Sequence, residues 1–273
     1  MEYWDRSKPE RELHHLRLKI LSYLPLTILL SASGATYAAD ELVEHDFSKT
    51  SYLTQVYGKL ECSFPNMHLC AQELEIAFQK SHGDLMHRDD NNLRIKLKDG
   101  AFFTAPYSGK TYQVLEAQAN DRFIVIREQF SEGNTWHLLD RSTGKLEKIE
   151  GYPLFSPDMT KFVSAATDME AGFSPTVFDV YAVTANGIAR QYKGIADPNG
   201  IATWGGTGVN WIGNSKIAFF QISFDGSKEK VVGGVTMTDS VFNVRRATLE
   251  FVKDKWQLHV DEHVIGTAAN VIW

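Results

Sequence analysis

Histidines and carboxylates crowd together twice in this chain. The first group is His82-Gly83-Asp84-Leu85-Met86-His87-Arg88-Asp89-Asp90, and the second is His259-Val260-Asp261-Glu262-His263. Imidazole nitrogens and carboxylate oxygens at that density suit a divalent cation. His82, Asp84, His87, His259, Asp261 and His263 are therefore the candidate metal ligands. The other reading of the first group is a solvated loop leaving a helix. The second, as a strand, alternates His259, Asp261 and His263 onto one face, about 6.5–7 Å apart in succession. That spacing suits two ligands of one ion and is awkward for three, and its other reading is the exposed face of a last strand. Asp84, Asp89, Asp261 and Glu262 with the nearby histidines would serve an envelope-polymer hydrolase, metal-dependent or not, if they converged in one concave pocket.

Cys62 and Cys70 are the only cysteines. In an oxidising compartment an isolated pair forms a disulfide, and closing so short a loop contributes about 2–3 kcal/mol. The competing use, a zinc site on Cys62, His68 and Cys70, lacks an evident fourth ligand. Ala202–Gly213 (ATWGGTGVNWIG) sets Trp204 and Trp211 in a glycine-rich segment. It reads as a loop carrying large aromatics, so Trp204, Asn210 and Trp211 are the candidate binding residues.

Several chemistries are missing. Gly172-Phe173-Ser174 is followed by Pro175 and Thr176, which spoils a nucleophile elbow. Gly109-Lys110-Thr111 lacks the glycine of a phosphate loop, since Thr104 stands in its place. Trp211 replaces the last glycine a dinucleotide fingerprint would need after Gly206 and Gly208. No cofactor is implied. A net charge of −6 over 273 residues speaks against a nucleic-acid binder.

The elements that must hold these residues begin with an address. Arg11, Arg17 and Lys19 precede the apolar run Ile20–Ala32, and small residues at Ala38 and Ala39 follow it. This is the plan of a cleaved secretory signal over 1–38, with the periplasm or the exterior as destination. No other stretch is long and apolar enough for a helical span. Residues 39–92 read as a segment with the cysteine loop and one helix, Ala71–Ser81, whose apolar side is Leu74, Ile76, Ala77 and Phe78. Arg88–Asn92 reads as a polar turn.

Residues 93–273 read as all-β. Phe123–Arg127, Thr135–Leu139, Phe178–Val183, Ile217–Phe220 and Trp256–Val260 are short β-rich runs of 4–8 residues. Ser142–Lys145, Asn186-Gly187 and Asp225-Gly226 are the turn signals between such runs. A polar turn, a base and two apolar residues recur at Arg122, Lys161, Lys216 and Lys255, spaced 39, 55 and 39. A period near 40 suits a four-stranded blade, with Asp197–Gly213 as the insertion in the longer interval. Phe155-Ser156-Pro157-Asp158-Met159-Thr160-Lys161-Phe162-Val163-Ser164 resembles the opening of blades in WD-repeat and TolB-like propellers. Val209–Phe219 is a looser copy, and Met159 stands where that family usually has glycine. The resemblance covers about 115–270 and implies a propeller-like scaffold that presents loops. The expectation is a secreted, non-catalytic module that binds a protein partner, in the manner of an inhibitor or immunity protein.

Overall fold

The run Phe123-Ile124-Val125-Ile126 does not alternate, so a strand made of it needs cover on both faces. A computed structural model of the chain supplies that cover. It describes residues 67–89, 92–105, 111–130, 133–169, 176–194, 203–232 and 235–269. The expected signal (1–38) and Cys62 lie outside the described residues, as does the side chain of Cys70, so the disulfide expectation falls outside them too.

The described chain starts with helix α1 (Met67–Ser81) and continues as four antiparallel sheets in sequence order. The first sheet is β1 (Met86–Asp89), β2 (Asn92–Lys96) and β3 (Phe102–Thr104). The second is β4 (Thr111–Gln118), β5 (Phe123–Phe130), β6 (Gly133–Asp140) and β7 (Lys145–Ile149). The third is β8 (Tyr152–Phe155), β9 (Lys161–Ala166), β10 (Val177–Thr184) and β11 (Gly187–Lys193). The fourth is β12 (Trp204–Ile212), β13 (Lys216–Val232), β14 (Val235–Val252) and β15 (Lys255–Ala269). Each strand pairs with its sequence neighbour, so every sheet is a simple meander.

The apolar residues sort by face. Ile124 and Ile126 meet Met86, Leu93 and Ile95 of the first sheet and Phe78 of α1. Phe123 and Val125, on the opposite face, meet Tyr152 and Phe162 of the third sheet. Val163, Phe178 and Val180 then meet Ile217, Phe219, Ala247 and Leu249 of the fourth. The second and third sheets are thus covered on both sides, which explains their unbroken apolar runs.

Corresponding turns of different sheets touch, which puts them at one common end. The Asp158 N–H of the β8–β9 turn donates to Asn214 Oδ1 of the β12–β13 turn at 3.2 Å. Arg122, before β5, donates to the Thr184 carbonyl of the β10–β11 turn at 2.7 Å. Arg141, after β6, donates to the Lys96 carbonyl at the end of β2 at 2.6 Å. Since the strands alternate in direction, the ends of β1, β3, β5, β7, β9, β11 and β13 lie at the opposite end, the loop end.

All-β holds for the described residues beyond α1, and the five runs expected as strands are strands. Four expectations are corrected. Strands of 4–8 residues are too short for β13, β14 and β15, which run 17, 18 and 15 residues. Asp225-Gly226 is not a turn: the register shifts between Phe224 and Gly226, and Gly226 sits at φ 134° as a bulge within β13. β1 pairs with β2 from Met86–Ile95 to Asp89–Asn92, so strand structure begins before residue 93. On α1 the buried stripe is Ala71, Leu74, Glu75 and Phe78, whereas Ile76 is 66% exposed.

Candidate functional site

A carboxylate on the apolar stripe of a helix needs partners, because an unpaired buried charge is costly. Glu75 has them. Arg88 of β1 grips it with two nitrogens, Nη2 at 2.7 Å from Oε2, and the Val114 N–H donates to the same oxygen at 2.8 Å. Val114 stands where the β4–β5 register shifts, so its N–H leaves the ladder and the helix carboxylate satisfies it. Arg88 also donates to the Tyr112 carbonyl. Farther along the same layer, the Tyr112 hydroxyl donates to Glu128 Oε1 at 3.1 Å, and Glu128 Oε2 lies 2.7 Å from His137 Nε2. On the other face, Arg127 donates to Gln113 Oε1 at 3.1 Å.

Tyr112, Glu128 and His137 could hold a proton between imidazole and carboxylate, as general bases do. The side chains of His137 and Glu128 are only 12% and 7% exposed, however. They present little to a substrate and mainly tie β4, β5 and β6 of the second sheet together.

At the turn end the chemistry is structural. Ser156 Oγ donates to Asp158 Oδ1 at 2.7 Å, and the Thr160 N–H and hydroxyl donate to the same oxygen at 3.1 and 2.9 Å. The Lys161 N–H returns to Ser156 Oγ at 3.1 Å. This network holds Met159 at φ 57°, the left-handed region that glycine occupies more easily. Slight burial pushes the Asp158 carboxyl up, but these hydrogen bonds and Lys161 outweigh it and hold it below the usual carboxylate range. Asp140 behaves likewise: burial raises it, while two bonds from Arg122 and the Ser142 N–H bring it down.

The expected site residues are dispersed. Ala202–Gly213 is not a projecting loop: Trp204–Ile212 is strand β12. Its glycines bring it close to the third sheet. A Cβ at Gly206 would lie 2.5 Å from the Phe178 ring, and one at Gly205 2.3 Å from Thr167. Trp204 packs on Phe178 and Phe219, with ring centres 5.7 and 5.9 Å away. Trp211 donates from Nε1 to the Leu154 carbonyl at 2.8 Å and meets Trp256 edge-on. Asn210 is exposed beside it, paired with Ala218.

Among the described residues no three His, Cys, Asp or Glu side chains are placed to hold a metal ion. His82 stacks on Phe78 at 4.5 Å and bonds Ser81, and Asp84 lies in the turn that follows α1. His87 faces Phe102 from β1. His259, Asp261 and His263 are exposed along β15, while Leu258 and Val260 turn to the core. The acids of the hydrolase reading are therefore divided between the first and fourth sheets.

Glu75, Arg88, Tyr112, Glu128 and His137 escape a reading of motifs. The signals that mark them are polar residues at core spacing: Glu75 between Ala71 and Phe78, and Glu128 within β5, two residues past the apolar run Phe123–Ile126. No family model and no curated protein matches the chain.

Proposed function

We propose that this chain is an exported, non-catalytic module that binds a protein partner through the loop end of a propeller-like stack of sheets. One observation carries the reading. Beyond Ser223 of β13 no β12 residue pairs with it, and beyond Val241 of β14 no β15 residue does. The two strands nevertheless stay paired from Ser227–Ser240 to Val232–Val235. At about 3.4 Å per residue this ribbon reaches roughly 20 Å past its sheet. An isolated two-stranded ribbon is marginal in water and contributes little to a core. Its place at the loop end makes it a contact element.

The order of the meanders and their face-to-face packing support the propeller-like reading. The export reading rests on the plan of residues 1–38, and a Cys62–Cys70 disulfide goes with it. Intact mass and free-thiol labelling of the exported protein test both: loss of about 38 residues and no free thiol are expected. For the binding reading, residues 228–239 are replaced by Asn-Gly and the exported proteins compared. The shortened chain should keep its thermal midpoint and lose partners that the native chain retains from envelope extract. Identical sets of retained partners would overturn the proposal.

A further inference from the structure

Ile217, Phe219, Ala247 and Leu249 point from the fourth sheet to the third. Side chains alternate between the faces of a strand, so Ile222 with its partner Val244, and Phe224 with its partner Phe242, stand on the opposite face. Ile222, Phe242 and Val244 are nevertheless at most 1% exposed, and they belong to none of the three apolar layers described above. A side chain standing on a sheet face is closed to water only when a layer lies over it. Phe224 meets Phe242 edge-on at 5.8 Å, but it is itself 56% exposed and marks the margin of the patch. Thr167 approaches the same face at Gly205, the partner of Ile222, and one threonine does not bury three residues on two strands. Toward the turn end this face becomes polar, with Lys216 paired to Glu250 and Arg246 exposed. The first sheet is not the cover, because its outward side carries His87, Arg94 and Lys96, all exposed. The apolar patch therefore has the size of a short segment rather than of a sheet.

We propose that residues 53–64 of this chain lie over the patch. Leu53, Val56, Tyr57, Leu60 and Phe64 recur three and four residues apart, the spacing of one apolar helix side, with Thr54, Gln55, Lys59 and Glu61 between them. Outside the described residues and the expected signal, the next most apolar stretch is 270–273, with Val271, Ile272 and Trp273. The segment can reach. Helix α1 sits against β4 of the second sheet, and the fourth sheet lies two sheet spacings farther, about 20 Å. At about 3.3 Å per residue the chain from Leu53 to Met67 extends to about 46 Å. The proposal goes beyond the ribbon and does not depend on it.

The full exported chain with a benzoylphenylalanine photocrosslinker in place of Tyr57 tests this, since the substitute keeps an aromatic ring at that position. The crosslinked peptide should hold residues from 219–224 or 241–246. A crosslink to another part of the chain, to a second copy or to another protein would overturn the proposal, as would no crosslink at all. Leu60→Asp should also speed amide exchange in 220–224 and 242–245 about tenfold or more and leave 123–127 as it is. Deletion of 271–273 should change neither region. Exchange that rises equally in both regions with Leu60→Asp, or that rises in the fourth sheet only when 271–273 are removed, would likewise overturn the proposal.

Discussion

Glu75 is a charged residue that does the work of a core residue. It closes two bonds from Arg88 and one from a bulged backbone N–H. Removing one member of a buried pair leaves the other charge stranded, at about 3–5 kcal/mol when burial is complete. Arg88 is 24% exposed, so the lower figure applies. Glu75→Ala should therefore cost about 3 kcal/mol, which in a domain of this size lowers the thermal midpoint by roughly 6–12 °C. Replacing both residues, as Glu75→Leu with Arg88→Met, should cost less than Glu75→Ala alone. Calorimetry of the three proteins decides it, and equal losses would mean the pair contributes only through packing. Asp140 gives the acid limb its shape. Its carboxyl is held below its ordinary value of 3.8 by Arg122 and Ser142 despite burial. Such a group binds protons more readily unfolded than folded, so its contribution is complete above about pH 4 and drains away as pH falls through the folded value. Denaturant midpoints measured from pH 6 to pH 2 should fall less steeply for Asp140→Asn than for the native chain.

Strand β12 shows why an element can be misread residue by residue. Glycines at 205, 206 and 208 suggest a loop when only backbone freedom is considered. Here Gly205 and Gly206 instead allow close approach, and Gly208 sits at φ 60° beside the Phe220 ring. The two tryptophans then face the third sheet, where Trp211 even spends its indole N–H on the Leu154 carbonyl. Complete burial of a tryptophan is worth about 3–5 kcal/mol on truncation to alanine, and these two are half-buried. Trp204→Ala and Trp211→Ala should each lower stability by about 2 kcal/mol in chemical denaturation. Loss of partner capture with an unchanged midpoint would instead make them contact residues. Strand β13 illustrates the other direction: Asp225-Gly226 carries hairpin chemistry, yet pairing with β14 before and after it absorbs the extra residue as a bulge.

At the scale of the molecule, the repeat was legible in three of its four marks. Arg122, Lys161 and Lys216 each lead into the second strand of a sheet, so the spacings 39 and 55 run from sheet to sheet. Lys255 leads instead into the fourth strand of the last sheet. It shares the pattern because every turn at that end answers the same demand, a polar reversal before a buried strand. The polar layer around Glu75 and Glu128 was not legible, since it depends on which sheet lies on which. Layering also dictates how the molecule opens. Amides of β5 and β9 lie in sheets covered on both faces, and exposing them requires two interfaces to part. Amides of residues 236–240 belong to a ribbon that no strand flanks among the described residues, so local opening exposes them at little cost. Hydrogen exchange of the full chain should therefore be slowest in 123–127 and 162–166 and fastest in 236–240. Uniform exchange across the second, third and fourth sheets would mean that the layers do not open independently of the ribbon, and the division into a rigid stack and a projecting contact element would fail.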